Sequence, residues 1–344
     1  MKQLSFFNKF VFALNLVFAL LLLLSCTVPY ISSETFSFLS ILSLAVPFLV
    51  VLNMLCFIYW LLKRKRQLIL SLLVLLLGFV VHGSFFKFKF SGDPIAEKDL
   101  SIMTFNALNF TFNGAAEGYD VSEEIVDFVA SQNPDIVCFQ EFDYKKKRSD
   151  HFSQYPYRFI DFEYGVYTGR VIQAIYSKYP IINKRVLDFP RSANSAIFAD
   201  IVYNKDTLRV YNLHLQSLSI RPEAFADEPS GKLYKRVTES FLKQQQQVSI
   251  IVDHKNKTSY KRIICGDFNN TQFSNVYYTV KGEMTDTFKE KGSGFGRTYD
   301  FAGFPGRIDF ILVDPSFEVT AHKNFDIELS DHFPVMSSIR MKTK

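Results

Sequence analysis

The heptapeptide LSDHFPV, residues 329–335, places an acid and an imidazole side by side between apolar, strand-like flanks. Asp331 and His332 follow the hydroxyl residue Ser330 and precede an apolar run near the C-terminus. Ionised groups in such a setting are costly to bury unless they are paired with other charges or bind a metal ion. The stretch therefore predicts that polar partners from elsewhere in the chain meet this pair in the folded protein.

Polar side chains also end or interrupt several other apolar runs. They are Asn106, Glu141, Asn212, His214, Asp267, Asn269 and Asp309. A single residue of this kind is more often a turn former than a functional group, but such a set converges if the strands point the same way. Carboxylate and amide oxygens are the ligands that Mg²⁺ prefers, and two histidines without a nearby cysteine are a poor zinc site. The pattern indicates a hard-cation site that binds phosphate.

The charge of the 344-residue chain is unevenly distributed. Residues 1–92 hold eight Lys or Arg and one acid, Glu34, which leaves 31 basic and 33 acidic residues in 93–344. A dedicated non-specific nucleic-acid binder carries a basic domain, and this composition excludes one, although a local basic groove stays compatible with it. The four cysteines have no spacing typical of a zinc site or a disulfide framework.

Three apolar stretches, at about 10–30, 36–62 and 68–86, predict three transmembrane helices in a membrane region that covers residues 1–92. Each reaches the roughly 20 residues needed to cross a hydrocarbon core of about 30 Å. Basic residues precede the first stretch, and KRKR (63–66) joins the second to the third. Basic loops face the cytoplasm, so we expect an integral protein of the cytoplasmic (inner) membrane with residues 93–344 on the extracytoplasmic side. A lipoprotein cleavage box at LLSC (23–26) is an alternative, which the two following stretches make redundant.

From residue 93 onward, short apolar runs alternate with turns, and this pattern predicts one α+β domain. Strands are predicted at 100–108, 135–142, 171–177, 262–270 and 307–314, a hairpin over 196–217, and helices over 119–135 and 233–254. The glutamine run 244–247 is interpreted as a solvated helix face. Strands outnumber helices and mostly follow one another, which is typical of two packed sheets with helices outside.

Several motifs then occur in an order that resembles the endonuclease/exonuclease/phosphatase superfamily. They are FN (105–106), PDIVCFQE (134–141), SKYPI (177–181), YNLHL (211–215), GDFN (266–269), RIDFILV (307–313) and SDHFPV (330–335). That group includes pancreatic deoxyribonuclease, abasic-site endonucleases, neutral sphingomyelinases and inositol-polyphosphate 5-phosphatases. The resemblance covers the chain from about Leu100 to the C-terminus. It implies a four-layer αββα sandwich (deoxyribonuclease I-like) that hydrolyses phosphoesters with a divalent metal.

The resemblance also implies a metal site. Glu141 resembles the principal Mg²⁺ ligand, Asn106 resembles an amide that helps the metal or its water, and Asp331 resembles a second carboxylate near the metal. Mn²⁺ is an alternative ion. Some relatives carry an acid shortly after the residue that corresponds to Asn106, and Asn109 stands near that place here, so one metal ion is expected rather than two.

Catalytic roles are implied for the remaining motif residues. Asp267 resembles the carboxylate that orients or deprotonates the attacking water, and Asn269 resembles its partner that binds a phosphate oxygen. Asp309 resembles the acid that orients a terminal imidazole, and His332 resembles that imidazole, which holds the phosphate or relays a proton. His214 resembles the histidine that stabilises the pentacoordinate phosphorus. If cationic, both histidines would stabilise charge that grows in the transition state.

The resemblance leaves the substrate open, since members of the superfamily cleave DNA, RNA, sphingomyelin and phosphoinositides. Asn212 is predicted either to contact the substrate or only to support its strand. Arg297, within the flexible Gly-rich loop GSGFGRT (292–298), is a candidate phosphate contact. The basic and aromatic stretch 144–158 suits nucleic acid or anionic lipid headgroups, and a solvated loop is an equal alternative. Tethering to a lipid bilayer and the lack of a basic domain favour lipid-derived or extracellular substrates, and no protein partner is predicted.

A catalytically silent membrane-tethered binding module of the same fold is the alternative function. Degenerate relatives lose metal or base residues, whereas every key position of the motifs is filled here. We therefore expect an active metal-dependent phosphoester hydrolase, which is a nuclease, a phosphodiesterase or a lipid phosphoesterase.

Overall fold

The N-terminal region is helical in the computed structural model, which describes residues 4–88, 95–96, 98–112, 119–143, 152–162, 169–220, 229–301 and 303–342. The helices are α1 (Phe6–Ser25), α2 (Ser37–Ser40), α3 (Leu42–Leu62) and α4 (Leu68–His82). By length and composition, the segments Phe6–Tyr30 and Leu42–Leu62 can cross a membrane, whereas α4 has only 15 residues. The expected third full-length span is therefore wrong: α4 ends at Gly83, whose φ of 74° stops the helix.

Polar side chains hold α1, α3 and α4 together. Asn15 of α1 donates to Ser71 of α4 (2.8 Å) and accepts from the indole N–H of Trp60 in α3 (3.0 Å). Asn53 of α3 donates to the carbonyl oxygen of Phe18 in α1 (3.0 Å). Hydrogen bonds of this kind join helices where an apolar surrounding offers no other polar partner, so the bundle has a fixed internal register.

One end of this helical bundle contacts the β-rich region. Side chains of that region donate hydrogen bonds to three bundle carbonyls, from Asn275 to Pro29 (2.8 Å), from Thr271 to Ser43 (3.2 Å) and from Tyr278 to Val81 (2.8 Å). These carbonyls follow α1, begin α3 and end α4. The basic loop 63–66 follows the far end of α3, about 30 Å away at 1.5 Å per residue. The bundle thus separates the basic loop from the β-rich region, and the boundary predicted at 92/93 lies outside the described residues.

Two six-stranded mixed sheets form the β-rich region. The first has the order β15 (Phe317–Asn324), β16 (Val335–Met341), β1 (Leu100–Asn106), β4 (Ile136–Gln140), β6 (Ala174–Ser177) and β5 (Tyr157–Ile160). The second has the order β11 (Thr285–Asp286), β14 (Asp309–Val313), β10 (Lys261–Asp267), β9 (Asp206–His214), β8 (Ser195–Tyr203) and β7 (Ile181–Asp188). Two short hairpins pair β2 (Thr111–Phe112) with β3 (Tyr119–Asp120) and β12 (Tyr299–Phe301) with β13 (Phe304–Gly306).

Helices cover the outer face of each sheet. Helix α5 (Ser122–Gln132) packs on the first sheet, and α6 (Ser230–Asn256) and α7 (Asn275–Lys281) pack on the second, while α8 (Thr287–Lys291) contacts β14 and β15. Alternation along each strand explains the layers. In β1, Ile102 faces the second sheet, whereas Met103 and Phe105 face α5. The predicted α+β class and the four-layer αββα sandwich are confirmed.

A buried ion pair fixes the edge of the second sheet. Arg307 donates from Nη1 and Nη2 to the two carboxylate oxygens of Asp286 (3.0 and 2.9 Å), and the Tyr277 hydroxyl donates to Asp286 Oδ2 (2.6 Å). Burial alone raises the pKa of Asp286, but the Arg307 charge and these hydrogen bonds outweigh burial and lower that pKa to about 2. The pair therefore stays ionised throughout the neutral range.

Replacing Asp286 by Asn leaves Arg307 buried without a counter-charge, which we expect to cost about 3 kcal/mol at pH 7. A carboxyl with a lowered folded pKa stabilises the fold above its unfolded pKa, near 4, and this stabilisation is lost as the pH falls toward 2. The melting temperature of the detergent-solubilised chain should drop at pH 7, and the difference from wild type should narrow in acid.

Asp206→Asn is the matched control, since Asp206 forms an exposed pair with Lys261 (2.9 Å, Asp206 51% exposed). Such pairs contribute within about 1 kcal/mol. Equal melting temperatures for Asp286→Asn and Asp206→Asn at pH 7 would contradict the stabilising role of the buried pair.

Candidate active site

Strands of both sheets bring their polar ends to one place. Asn106 ends β1, His214 ends β9 and Asp267 ends β10. Asp267 lies opposite His214 on the parallel strand β9 and opposite Asp309 on the antiparallel strand β14. Because side chains alternate along a strand, Asp267 shares the inter-sheet face with the core residue Cys265. The polar cluster is therefore the continuation of the apolar core rows at one end of the sandwich.

Gly266 allows β10 to end in this way. Its φ of 129° lies in a region that favours glycine. A Cβ atom at this position would lie 2.1 Å from the carbonyl oxygen of Leu213 on β9. The close approach of β10 to β9 thus requires glycine directly before Asp267, which explains the glycine of the GDFN motif.

The Asn106 amide joins a carboxylate from each half of the sandwich. Its Nδ2 donates to Glu141 Oε1 (3.2 Å) and to Asp267 Oδ2 (3.1 Å), and its Oδ1 accepts from the backbone N–H of Leu108 (3.2 Å). Glu141 follows β4 with a φ of 48°, and this turn re-aims its side chain from the α5 side toward the cluster. Asn106 thus positions both carboxylates, and its expected help to the metal or to the metal's water stays a prediction.

Asp267 is held on both carboxylate oxygens. Besides the bond from Asn106, Asn269 donates from its backbone N to Oδ1 (2.7 Å) and from Nδ2 to Oδ2 (3.0 Å). Asn269 Nδ2 also donates to the carbonyl oxygen of Leu215 (2.9 Å). Asp267 is 1% exposed, and burial raises the pKa of its carboxyl. These bonds leave the Asp267 carboxylate little freedom to rotate.

Asp309 and His332 form a buried pair beside Asp267. The distance between His332 Nδ1 and Asp309 Oδ2 is 2.9 Å, and His332 Nε2 lies 3.8 Å from Asp267 Oδ2. Burial alone lowers the pKa of His332, but the charges of Asp309 and Asp267 outweigh burial and raise that pKa to about 10. His332 is therefore a cation at neutral pH. Asp267, Asp309 and His332 offer ligand atoms within 4.8 Å of one another, although Nδ1 is already bonded to Asp309.

His214 differs from His332 in charge. Its Nε2 lies 3.7 Å from Glu141 Oε1 and 3.6 Å from Asp267 Oδ2, and its buried Nδ1 has no hydrogen-bond partner among the described residues. Burial, together with the charge of His332, lowers the pKa of His214 to about 3. His214 is therefore neutral, and only one of the two histidines supplies the positive charge considered from the sequence.

The site fits a hard divalent cation. Glu141 is 24% exposed, burial raises the pKa of its carboxyl, and the exposed Asp331 carboxylate adds to that rise. Within the described part of the chain, the ion-pair contacts of Glu141 and Asp267 are with histidines, and no Lys or Arg neutralises them. An oxygen-rich, net negative set of this kind is the chemistry that Mg²⁺ or Mn²⁺ takes.

Asn212 does not line the cleft, and its position agrees with the supporting role that the sequence left open rather than with a substrate contact. It is fully buried between the sheets, where Nδ2 donates to the carbonyl oxygens of Phe139 (2.8 Å) and Ala174 (3.2 Å) and Oδ1 accepts from Gln140 Nε2 (2.5 Å). All of its polar atoms are used in joining the two sheets. Asn212 therefore has no group left for a substrate.

Arg297 is also not directed at the cluster. Its guanidinium bonds to Asp300 (3.1 Å) and to Asp326 and stacks 3.9 Å from the centre of the Phe333 ring. It lines a neighbouring pocket that shares Phe295 and Pro305 with the cleft. Two carboxylates pair with this cation, and the phosphate contact stays a prediction. Of the basic stretch 144–158, residues 144–151 lie outside the described residues.

Gln244 was assigned to a solvated face, and this interpretation is wrong. It is fully buried, donates to the carbonyl oxygens of Gln216 (2.7 Å), Phe268 (3.3 Å) and Asn269 (3.3 Å), and accepts from Asn270 Nδ2 (2.7 Å). Gln244 thus fixes the loop that carries Asn269. Its helical spacing from the apolar residues 241 and 248 was the signal in the sequence.

The cluster opens into one cleft of about 760 Å³. The predicted residues that line it are Glu141, His214, Asp267, Asn269, Asp331 and His332. Asn106 and Asp309 support them from behind through the bonds described above. The arrangement combines fixed carboxylates, one imidazolium and one neutral imidazole around an open space. Such a set can bind a cation, orient water and hold an anionic ester.

Comparisons with solved structures show the same fold. Similar structures are an endonuclease/exonuclease/phosphatase from Bacteroides vulgatus (17% identity, TM-score 0.52, covering 72% of this chain and 100% of that chain) and D. rerio TDP2 complexed with single strand DNA product (15%, 0.52, 71% and 100%). A third is the human Nocturnin catalytic domain with bound sulfate anion (12%, 0.53, 72% and 97%). No curated protein matches the chain.

Two family models match the sequence. Residues 8–85 match a domain of unknown function (DUF8431), so the helical bundle forms a unit of its own in sequence. Residues 103–332 match the Endonuclease/Exonuclease/phosphatase family, and this range contains every residue of the cluster. The resemblance of the motifs and the architecture of the two sheets agree with this match. The chain belongs to the endonuclease/exonuclease/phosphatase family, whose members are phosphoester hydrolases.

Proposed function

We propose that this chain is a membrane-anchored, Mg²⁺-dependent phosphoester hydrolase of the phosphodiesterase or nuclease type. The observation that supports this most strongly is the convergence of residues separated by almost two hundred positions in the chain. Glu141, His214, Asp267, Asn269, Asp309 and His332 meet at one end of the sandwich, where the cleft opens. A binding module without catalysis has no need for an imidazolium and fixed carboxylates in one cleft.

Glu141 would hold the cation, with Asp331 beside it. A bound Mg²⁺ supplies Lewis acidity, which withdraws charge from a non-bridging phosphate oxygen. The Asn106 amide keeps the Glu141 carboxylate directed toward the cleft through its 3.2 Å bond. Because the described residues provide no Lys or Arg partner for Glu141, a divalent ion held there would balance the negative charge of this side of the site.

Asp267 would orient the attacking water. Its oxygens are fixed by Asn106 and Asn269, so a water bonded to Asp267 has a defined direction toward phosphorus. His332, held as a cation by Asp309, would stabilise the negative charge that grows on the phosphate oxygens. Neutral His214, whose Nε2 faces the same carboxylates, would donate a hydrogen bond to a phosphate oxygen.

Residues 1–92 would form the membrane region and residues 93–344 the catalytic domain. The helical bundle contacts the catalytic domain at one end and carries the basic loop 63–66 at the other. Basic loops face the cytoplasm. We therefore place the catalytic domain on the extracytoplasmic side of the cytoplasmic membrane, with a phosphoester substrate and the lipid bilayer as its partners.

Asp267→Asn and His332→Gln should each lower turnover of bis-p-nitrophenyl phosphate by at least about 100-fold, as expected for loss of one acid–base group. Asp267→Asn keeps the shape of the side chain, and His332→Gln replaces the ring by a polar side chain of similar length. Asp253→Asn is the control, because Asp253 is 67% exposed on α6 and its ion pair among the described residues is with Lys257. Turnover near the wild-type value in both site variants would refute the assignment.

Removal of divalent ions with EDTA should abolish turnover, and added Mg²⁺ or Mn²⁺ should restore it. Glu141→Gln removes the negative charge of the ligand but keeps an oxygen atom, so the Mg²⁺ concentration at half-maximal activity should rise by at least about tenfold. The measurement is initial rate against Mg²⁺ concentration for both proteins. An unchanged Mg²⁺ requirement in Glu141→Gln would remove Glu141 from the metal site.

Alkaline phosphatase fused after residue 344 should be active, because that reporter functions only outside the cytoplasm. A fusion after residue 64, within the basic loop, should be inactive and serves as the control. The opposite pattern of activities would reverse the proposed orientation.

A further inference from the structure

The active-site cleft has a second wall that the catalytic domain does not supply. Besides the polar cluster, the cleft is lined by Ile41, Leu44 and Phe48, at the start of α3. Phe85, which follows α4, lines the same cleft. The space next to the catalytic residues is therefore shared between the sandwich and the helical bundle, and it is polar at one end and apolar at the other.

We propose that the substrate is a membrane lipid with a phosphoester headgroup, whose hydrocarbon chain lies against α3 while its phosphate reaches the polar cluster. This inference rests on the proposed function, because it names the substrate class of the same site. The lining of the cleft and its connection to the surface of α3 favour a lipid over a polynucleotide.

Aromatic contacts fix the apolar wall to the catalytic domain. The rings of Phe48 in α3 and Phe304 in β13 stack at 4.6 Å between centroids, and Phe86 contacts Phe295 at 4.8 Å. The paired strand β12 carries Tyr299, which lies 5.0 Å from the His332 ring. The hairpin thus links the apolar wall to the catalytic imidazole, so the two ends of the cleft keep a fixed separation.

The apolar lining continues from the helical bundle onto the catalytic domain. Leu218 and Val237 of the catalytic domain line the cleft and pack against Ile41 and Leu44 of the bundle. Leu233 of α6 belongs to the same cluster. A hydrocarbon chain in the cleft would therefore contact one continuous apolar surface, and each buried CH₂ contributes about 0.8 kcal/mol to binding.

The apolar wall continues along the exposed face of α3. Leu44, Phe48, Val51 and Leu55 are spaced four, three and four residues apart, so they form one stripe on the helix. Phe48 is 50% exposed, Val51 46% and Leu55 57%. If α3 spans the membrane, this stripe faces lipid. A lipid beside α3 can then reach the cleft without leaving an apolar surrounding.

The charge of the cleft disfavours a polynucleotide. Of the described residues that line it, Arg307 is the one Lys or Arg, and its guanidinium is paired with Asp286. Proteins that bind nucleic acids neutralise several phosphates with Lys and Arg. A lipid brings a single phosphoester, for which His332 and one bound cation are sufficient.

The reaction is a hydrolysis that needs no other co-reactant. The oxygen of water bonds to phosphorus, the bond between phosphorus and the leaving alcohol oxygen breaks, and the water proton passes to that alcohol. The second product is a phosphate ester with one additional ionisable oxygen.

The test uses the full chain in phosphatidylcholine nanodiscs with Mg²⁺. Sphingomyelin, phosphatidylglycerol or phosphatidylinositol 4-phosphate is added one at a time, and products are measured by mass spectrometry. Single-stranded DNA and bis-p-nitrophenyl phosphate are assayed in parallel. We expect cleavage of at least one of the added lipids or of the phosphatidylcholine of the nanodiscs. Phe48→Ser should lower the ratio of lipid turnover to bis-p-nitrophenyl phosphate turnover by at least about tenfold, since it removes a large apolar surface.

Phe79→Ser is the matched control, because Phe79 is 63% exposed on α4 and does not line the cleft. In this variant the ratio of lipid turnover to bis-p-nitrophenyl phosphate turnover should stay within about twofold of the wild-type ratio. Leu44→Ser serves as a second cleft variant that keeps the Phe48–Phe304 stacking, in case Phe48→Ser does not fold, and its ratio should also fall.

Two failures can be told apart. No hydrolysis of any substrate, bis-p-nitrophenyl phosphate included, would overturn the proposed hydrolase. Hydrolysis of bis-p-nitrophenyl phosphate or DNA without cleavage of any lipid would overturn only the lipid inference. If the ratio of lipid turnover to bis-p-nitrophenyl phosphate turnover is the same in the folded cleft variants as in Phe79→Ser, the lipid inference is also overturned.

Discussion

The side-chain amide of Asn106 bonds to two carboxylates that arrive from different sheets, and the geometry of the site depends on it. Glu141 follows a strand of the first sheet and Asp267 ends a strand of the second, and both accept hydrogen bonds from the same nitrogen. Two neighbouring carboxylates repel each other unless a donor or a cation lies between them. The amide provides this donor from within the fold. A slide of one sheet along the other by one residue, about 3.3 Å, would separate the pair.

The need to hold the two sheets in one alignment also explains the polar layer just below the site. Gln140 donates to Thr104 (3.1 Å) and to Asn212 Oδ1, and Asn212 donates back to carbonyl oxygens of the first sheet. Polar groups buried between sheets are tolerated when they find partners, and these bonds join the first sheet to the second, although Gln140 Oε1 has no partner among the described residues. The layer therefore fixes the alignment on which the active site relies. Deeper in the sandwich, apolar rows such as Ile263 and Ile311 provide burial energy without that directional requirement.

In the helical bundle, too, polar side chains are bonded inside while apolar side chains lie on the outer surface. Asn15, Ser71 and Trp60 are bonded inside the bundle, whereas the stripe that begins at Leu44 and Phe48 faces outward. The inner bonds hold α3 in one rotation about its axis. That rotation directs Phe48 at Phe304 and brings the apolar stripe to the edge of the catalytic cleft. A connection between the helical bundle and the cleft thus follows from a few hydrogen bonds within the bundle.

The sequence alone determined the layered fold and the identity of most cluster residues, because strand alternation and motifs such as GDFN and SDHFPV are local patterns. Their catalytic roles stay predictions. For Asn212 the sequence left a substrate contact and a supporting role open, since a polar residue in a strand gives the same pattern in both cases, and only the tertiary structure showed its bonds across the sheets. The different charges of His214 and His332 were likewise decided only by the tertiary structure. Both are buried, but only His332 has a carboxylate bonded to its ring, and only the packing of distant strands determines which imidazole receives that partner.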